Sequence, residues 1–304
     1  MSYSFHGLSL GVSAPDEVRR AFHARFAALP DNGNGPPDLL FEVQDDPLEH
    51  PERARTVYEP PLGEVVYDDD RDLLYLRQGT LSALCEPAAG RVRFSVPSIT
   101  GEDLWILSHP LLSVPMMELL KRRGLFGVHA AGADLEGRAL VLAGTSGSGK
   151  STLSVALARA GFGFLGDDTL FLDDCRGVLR VLAFPDEIDL TEESVSFFPD
   201  LQLAPPPAGW RKRQLRAAET RIVWESTPSL LVFPRVSGRP RSELREIDPG
   251  EALLELAPNV LLTEPVSSQA HLDALAGLAR ASRCYRLETG TDLDEAVHLL
   301  RELM

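Results

Sequence analysis

The chain has 304 residues, of which 44% are hydrophobic and 25% charged, a balance typical of globular proteins. Its formal net charge is −15, with 30 Lys and Arg against 45 Asp and Glu; this excess argues against nucleic acid or an anionic membrane as a partner, because phosphate groups need a basic surface. No apolar run approaches the ~18 residues of a membrane span, no secretory signal is visible, and three widely spaced cysteines suit a reducing compartment, so we expect a cytoplasmic protein.

The first part of the chain, residues 1–110, is predicted to be a small α+β domain. Apolar residues recur at helical spacing over residues 14–28, where Ser13 or Asp16 could cap the helix. Short apolar segments between turn-prone residues predict strands at 39–43, 63–67, 73–77, 81–85 and 92–96. We expect these strands to form an antiparallel meander, with the acidic residues 68–70 at a hairpin tip.

A helical pattern follows over residues 101–124. Pro110 and Pro115 are expected to split or kink this helix, and the basic residues before Gly124 are typical of a helix end. We place the domain boundary after residue 110, so that the second domain comprises residues 111–304.

The sequence G-T-S-G-S-G-K-S-T at residues 144–152, the glycine-rich segment, fills the pattern G-x-x-x-x-G-K-[ST] without a mismatch. In that pattern, backbone N–H groups surround phosphates at the N-terminus of a helix. The apolar run 138–143 before the segment indicates a buried strand, and residues 152–159 indicate the helix. We therefore predict a nucleotide site formed by Gly144, Thr145, Ser146, Gly147, Ser148, Gly149, Lys150, Ser151 and Thr152. Lys150 is expected to reach the β- and γ-phosphates and Ser151 to bind Mg²⁺.

A pair of carboxylates, Asp167 and Asp168, follows after one helix and one apolar segment. Because a strand–loop–helix–strand unit returns the end of its second strand to the first loop, we expect the pair to lie at the glycine-rich segment. One carboxylate would support Mg²⁺ and the other would accept the proton of an attacking hydroxyl. His129 lies just before the first strand of this domain. Its spacing alone does not distinguish a catalytic from a structural histidine.

The rest of the chain predicts further strands and helices. Two strands are expected within residues 163–173, another over 180–190, and one over 230–233 that stops at Pro234. Helices are expected at 252–256, 270–280 and 293–303. A basic cluster lies between these elements, at Arg211, Lys212, Arg213 and Arg216.

Residues 125–173 resemble HPr kinase/phosphorylase, and more closely the HPr-kinase-related proteins. The resemblance rests on G-V-H at 127–129, the strand before the glycine-rich segment, the segment itself and the Asp167-Asp168 doublet, in this order. It implies an α/β fold: a P-loop domain of the type shared with phosphoenolpyruvate carboxykinase, preceded here by the small α+β domain.

The resemblance also implies an activity, which is ATP- and Mg²⁺-dependent phosphorylation of a serine or threonine hydroxyl on a peptide or protein acceptor. Lys150 would hold phosphates, Ser151 and Asp168 would hold Mg²⁺, and Asp167 is the favoured base. His129 would lie near the transferred phosphate. The basic cluster would correspond to the region that closes over the substrate, and the ring-forming tendency of the family implies a homo-oligomer.

The sequence departs from this family in three respects. It has G-K-S-T where the bacterial enzyme has G-K-S-E, and Glu187 is the nearest candidate for the glutamate of a second metal site. The loop that supports phosphorylase activity is not recognisable. These departures argue against phosphorylase activity and against HPr as the acceptor.

Other functions remain open. One is a nucleotide-controlled ATPase or binding module without phosphotransfer, and another is a kinase of a small-molecule hydroxyl. The chain lacks the L-S-G-G-Q motif of transporter ATPases and the N-K-x-D motif of GTPases, and ATP is favoured over GTP. Intact Lys150, Ser151, Asp167 and Asp168 argue against an inactive pseudo-kinase.

Overall fold

The computed structural model describes residues 1–33, 35–59, 63–98, 100–174, 177–201, 203, 206 and 212–304, without the side chains of residues 101, 102, 218 and 266. The described residues form two compact units. The first comprises Met1–Arg123 and Leu262–Ser268, and the second comprises the described residues of 124–206, 212–261 and 269–304. Within the described part of the chain, every helix is too short or too polar to span a lipid bilayer.

The first unit contains one mixed sheet. Its strands are β1 (Ser2–Phe5), β2 (Leu8–Ser13), β3 (Leu39–Gln44), β4 (Arg55–Tyr58), β5 (Gly63–Asp68), β6 (Leu73–Gln78), β7 (Leu81–Glu86) and β8 (Arg91–Ser95). Their order is β1-β2-β3-β8-β7-β6-β5-β4. The five predicted strands are confirmed, but the purely antiparallel meander is wrong. Strand β3 runs parallel to both β2 and β8, and parallel neighbours require crossover connections, not hairpins.

Helix α1 (Asp16–Phe26) provides the crossover from β2 to β3. Its buried residues Val18, Phe22 and Phe26 lie on the predicted apolar face. The predicted cap is wrong, because Pro15 occupies the N-cap position and no side chain caps the helix.

Helices α2 (Gly101–Ser108) and α3 (Pro110–Lys121) separate at Pro110, as predicted. The helix does not split at Pro115, since α3 continues through that residue, and a kink there stays a prediction. Several buried side chains of α3, namely Leu111, Leu112, Met116 and Leu119, keep it packed, which offsets the hydrogen bond that a proline removes. Since α3 packs on β6, β7 and β8, the first unit continues past residue 110 to Arg123.

Over its described residues, the second unit contains a nine-stranded sheet and a separate pair of strands. Its strands are β9 (Leu125–Val128), β10 (Ala130–Leu135), β11 (Arg138–Ala143), β12 (Gly163–Gly166), β13 (Leu170–Asp173), β14 (Arg180–Ala183), β15 (Ile188–Leu190), β16 (Arg213–Leu215), β17 (Glu225–Val236), β18 (Glu243–Ile247) and β19 (Arg283–Thr289). The order is β12-β10-β11-β17-β14-β13-β9, and β19 pairs with β17 and β18. Strands β15 and β16 form a separate antiparallel pair. The helices are α4 (Lys150–Arg159), α5 (Glu192–Ser196), α6 (Pro249–Leu256), α7 (Pro265–Ala281) and α8 (Leu293–Leu303), and α7 belongs to this unit from residue 269 onward.

Two strand predictions in this unit are wrong. The single strand expected over 180–190 is two strands, β14 and β15, which belong to different sheets. Pro234 does not end its strand, since β17 continues to Val236. Beyond Val232, β17 pairs with β19 but no longer with β11, and a strand with one open edge tolerates a proline.

The sheet order brings several strand ends to one edge. Strands β11 and β12 both run antiparallel to β10, and β17 and β19 run parallel to β11. The carboxyl ends of these strands therefore lie on the same side of the sheet. The glycine-rich segment follows β11 directly, and Asp167-Asp168 follows β12. Open α/β sheets commonly bind ligands at such an edge.

Candidate functional site

The glycine-rich segment has a backbone that glycine alone adopts readily. Gly144, Gly147 and Gly149 have φ angles of 153°, 82° and 97°, in the region that side chains with a Cβ disfavour. A Cβ on Gly144 would lie 3.1 Å from Oγ of Ser148, and one on Gly149 would lie 3.3 Å from a methyl group of Val236. The loop conformation therefore depends on these glycines.

Lys150 begins α4 and is 7% exposed. Its Nζ donates hydrogen bonds to the carbonyl oxygens of Gly144 at 2.7 Å and Thr145 at 3.3 Å. Burial lowers the pKa of Lys150, while the charges of Asp168 and Asp167 act in the opposite direction. An ammonium group held this way, beside a helix N-terminus, adds positive charge where an anion would bind.

Asp167 lies at the end of β12 and is 3% exposed. Its Oδ2 accepts a hydrogen bond from the Ser151 hydroxyl at 2.7 Å. Its Oδ1 is buried and has no hydrogen-bond partner among the described residues. Burial raises the pKa of Asp167 to about 6, and hydrogen bonds from Ser151 and Ser154 oppose this rise. The nearby carboxylates Asp168 and Asp189 raise the pKa further.

Asp168 is more exposed and contacts His129, which lies between β9 and β10. The His129 Nδ1 atom is 2.9 Å from the backbone carbonyl oxygen of Asp168 and 3.2 Å from its Oδ1. The two side chains are 40% and 56% exposed. Because a carbonyl oxygen only accepts, this hydrogen bond requires a proton on Nδ1 of His129. The backbone N–H of His129 donates to the carbonyl of Asn259 at 2.9 Å, which fixes the position of the histidine.

These groups surround one cavity of about 350 Å³, which we call the phosphate cavity. Of the predicted residues, it is bordered by Ser146 to Thr152 of the glycine-rich segment and by His129, Asp167 and Asp168. Gly144 and Thr145 do not border it, and instead their carbonyls hold Lys150. The volume lies at the lower end of the range for small-molecule sites, roughly 300–1,000 Å³.

Some residues around the phosphate cavity were not predicted. Asp189 on β15 borders it, whereas Glu187, the sequence-based candidate, is not among the described residues on its wall. The Asp189 Oδ1 accepts a hydrogen bond from Nε2 of Gln214 at 3.0 Å. Ile188 and Leu190 on either side are buried, so the alternation of apolar and acidic residues was the available signal for a strand with Asp189 on its other face.

The predicted basic cluster is divided in the structure. Lys212 borders the phosphate cavity, and its charge lowers the pKa of Lys150. Arg213 instead pairs with Glu192 at 2.8 Å, and Arg216 with Glu219 at 2.9 Å. Arg211 lies outside the described residues.

The residues at the cavity fit a magnesium ion that arrives with phosphates. Among the described residues, no group of three or more His, Cys, Asp or Glu side chains is arranged to hold a metal. Mg²⁺ at nucleotide sites, however, takes one or two protein oxygens and completes its shell with phosphate and water. The Ser151 hydroxyl and the unpartnered Oδ1 of Asp167 are oxygens of this kind.

Comparison with solved structures gives a weak similarity, and comparison with family models and curated sequences gives none. No protein-family model matches the chain, and no curated protein sequence matches it. Among solved structures, the chain is similar to the Hpr(Ser) kinase/phosphatase from Coxiella burnetii, with a TM-score of 0.29 and 13% sequence identity. The match covers 58% of this chain and 94% of that one. A TM-score this low does not establish a common fold.

Proposed function

We propose that the second unit is a kinase that transfers the γ-phosphate of Mg²⁺-bound ATP to a serine or threonine hydroxyl of a peptide or protein acceptor. The observation that carries this proposal is the phosphate cavity itself. It is bordered by a glycine-rich loop with a buried lysine and by a pair of adjacent carboxylates with a histidine. Phosphoryl transfer depends mainly on positioning and on electrostatic stabilisation, and this cavity supplies groups for both.

The glycine-rich segment and Lys150 would bind the phosphates. Positive-φ glycines open the loop for backbone N–H donors, and α4 directs its N-terminus toward the bound anion. The Lys150 ammonium now contacts neutral carbonyls. Phosphate oxygens would offer it charged acceptors, which form stronger hydrogen bonds.

Ser151 and Asp167 would hold the magnesium ion. A serine hydroxyl after the glycine-rich loop and a carboxylate after another strand of the sheet are the pair of ligands that binds Mg²⁺ in P-loop nucleotide sites. The ion would neutralise negative charge on the phosphates as the γ-phosphate is transferred. Burial favours the neutral form of Asp167, and a bound cation would favour the ionised form.

Asp168 would accept the proton of the acceptor hydroxyl, with His129 holding its backbone and carboxylate in place. The acceptor oxygen forms a bond to the γ-phosphorus, the bond to the β,γ-bridging oxygen breaks, and the hydroxyl proton moves to Asp168. This assignment, with Asp167 as the metal ligand and Asp168 as the base, differs from the sequence-based preference for Asp167 as the base. It is supported by exposure, since Asp168 is open to an incoming acceptor while Asp167 is buried and bonded to Ser151.

The test is phosphate transfer in the presence of Mg²⁺ and ATP. The chain is incubated with serine-containing peptides and proteins, and intact-mass spectrometry detects acceptors that gain one phosphate. Asp168→Asn should abolish this gain while ATP still binds. Release of inorganic phosphate without any phosphorylated acceptor would favour an ATPase and overturn the kinase proposal. A homo-oligomeric state and a cytoplasmic location stay predictions.

A further inference from the structure

A second cavity lies beside the phosphate cavity in the same unit. Its volume is about 560 Å³, and we call it the outer cavity. Phe197 and Leu293 border both cavities, so the two adjoin at these side chains. The remaining wall includes Ala156 and Arg159 of α4 and the start of α8. The phosphate cavity is small for a whole nucleoside triphosphate with its metal, and the outer cavity provides adjacent space.

Phe197 is the distinctive residue of this junction. It is a large apolar side chain that is 40% exposed, although the neighbouring Phe198 is 5% exposed and lies beneath the Arg159 guanidinium. An exposed aromatic ring beside a phosphate site offers a face on which a nucleobase can stack. Phe197 directly follows α5, and α5 is tied to the glycine-rich segment because the Thr152 hydroxyl donates to Ser194 Oγ at 2.9 Å.

The charges of the outer cavity disfavour the phosphate end of a nucleotide. Three carboxylates border it, those of Asp200, Asp292 and Asp294. Arg159 is the one basic residue among the described residues on its wall, and both of its terminal nitrogens pair with Asp200 at 2.7 Å. Carboxylates repel phosphate but accept hydrogen bonds from hydroxyl and amino groups, such as those of ribose and of a nucleobase.

The reacting end of the nucleotide must point away from the outer cavity. His129, Asp167 and Asp168 border the phosphate cavity and not the outer cavity. Lysine in this loop pattern reaches the β- and γ-phosphates, so the γ-phosphate faces these three residues. We therefore propose that the outer cavity is the nucleoside subsite, in which Phe197 stacks on the base and the carboxylates at the start of α8 face the ribose. This inference rests on the proposed function.

Calorimetric titrations with two ligands test the subsite. Mg²⁺-ATP contains the nucleoside, and Mg²⁺-tripolyphosphate contains the phosphates alone. The unmodified protein should bind ATP more tightly than tripolyphosphate. Phe197→Ala should weaken ATP binding about 10-fold, which corresponds to about 1.4 kcal/mol of lost stacking, and should leave tripolyphosphate binding unchanged. Phe197→Trp should retain ATP binding. Leu254→Ala, which removes an apolar side chain that is 76% exposed on α6 and borders neither cavity, is the matched control.

The outcomes separate this inference from the proposed function. If the unmodified protein binds tripolyphosphate as tightly as ATP, or if Phe197→Ala weakens both ligands equally, the nucleoside subsite is wrong while the phosphate site stands. A higher KM for the acceptor, with unchanged ATP affinity, would instead assign the outer cavity to the acceptor. Absence of binding by either ligand would overturn both proposals. Photo-crosslinking of 8-azido-ATP to the unmodified protein gives a measurement that needs no variant, and labelling outside residues 156–160, 192–201 and 291–294 would contradict the subsite.

Discussion

The Ser151 hydroxyl donates a hydrogen bond of 2.7 Å to Oδ2 of Asp167. This bond joins the first turn of α4 to the residue that follows β12, and it leaves the other carboxylate oxygen of Asp167 buried without a partner among the described residues. A buried polar atom without a partner costs about 1–3 kcal/mol. A ligand that satisfies Oδ1 would recover part of that free energy, so the pair is predisposed to bind a cation.

Replacement of the two adjacent carboxylates should separate metal binding from proton transfer. We expect Asp167→Asn to weaken Mg²⁺-ATP binding at least tenfold, because an amide is a poorer magnesium ligand than a carboxylate. Asp168→Asn should leave Mg²⁺-ATP binding within about twofold and lower kcat by 10²-fold or more, the usual size of a general-base contribution. Calorimetry measures the binding and acceptor phosphorylation measures kcat. The reverse pattern would restore Asp167 as the base.

The affinity for Mg²⁺-ATP should depend on pH through Asp167. Its pKa is raised to about 6, and magnesium binds the ionised carboxylate, so binding releases a proton below that pH. We expect the affinity to fall about tenfold per pH unit below pH 6 and to be constant above pH 7. Asp167→Asn should remove most of this dependence. Calorimetry in buffers of different ionisation enthalpy counts the released protons, and a count of zero at pH 5.5 would contradict the prediction.

The same pKa predicts an effect on stability in the absence of ligand. A carboxyl with a folded pKa of about 6 and an ordinary value of 3.8 binds protons more tightly in the folded state. Its contribution to stability therefore decreases as pH rises from about 4 to about 6, by up to about 3 kcal/mol. We expect Asp167→Asn to be more stable than the unmodified protein at pH 7 and to lose that advantage at pH 4. Urea unfolding at the two pH values measures the difference.

The sequence predicted the elements with strong local signals. The glycine-rich segment, its flanking strand and helix, and the two strands around Asp167-Asp168 follow from fixed spacing and apolar periodicity. The alternation of short apolar segments with turn residues was sufficient to predict five strands of the first unit. These signals lie within a few residues of one another, so no tertiary contact was needed to recognise them.

Other features depend on contacts between distant residues. Parallel pairing of β3 with β2 and β8 cannot be inferred from strand periodicity, because a strand has the same alternation in either direction. The continuous α3 helix at Pro115 reflects burial on the first sheet. Asp189 joins the site because β15 packs against α4, and the contrast in exposure between Asp167 and Asp168 likewise arises only in the folded chain.

Removal of the Lys150 ammonium should affect nucleotide binding directly. A charge-assisted hydrogen bond contributes about 1.5–3 kcal/mol, so Lys150→Met should weaken Mg²⁺-ATP binding roughly 10- to 150-fold. The fold should persist, because the two carbonyl acceptors in the loop can bond to water. Lys212→Met tests the second lysine at the cavity. Equal ATP affinity in Lys150→Met and the unmodified protein would contradict the assignment of the glycine-rich segment.

Gly166 should be required for the position of the carboxylate pair. A Cβ at this residue would lie 2.7 Å from the carbonyl oxygen of Phe184 and 2.8 Å from that of Thr169. Both are backbone atoms, so relief requires movement of the chain beside Asp167. We expect Gly166→Ala to destabilise the protein by about 1–3 kcal/mol and to lower phosphate transfer. Gly35→Ala, where a Cβ meets open space, is the control, and comparable melting temperatures for the two variants would contradict this expectation.

A buried ion pair in the first unit should stabilise the protein only while both charged partners are present. Lys121 Nζ lies 2.8 Å from Glu118 Oε2, and both side chains are 2% exposed. Glu118 also accepts hydrogen bonds from Thr263 Oγ1 at 2.6 Å and from Arg122 Nε at 3.0 Å. Removal of one partner leaves a buried charge less compensated, and such changes cost about 3–5 kcal/mol.

We therefore expect Lys121→Met to destabilise the protein by about 3 kcal/mol in urea unfolding. Arg77→Met is the matched control, because the Arg77–Glu64 pair has the same 2.8 Å separation but is 50% and 25% exposed. Exposed pairs contribute about 0–1 kcal/mol. The double variant Glu118→Gln with Lys121→Met should lose less stability than Lys121→Met alone, since it removes the buried carboxylate that has lost one of its two cationic partners. If Lys121→Met and Arg77→Met lower the free energy of unfolding by the same amount, burial does not increase the contribution of the Lys121–Glu118 pair to stability.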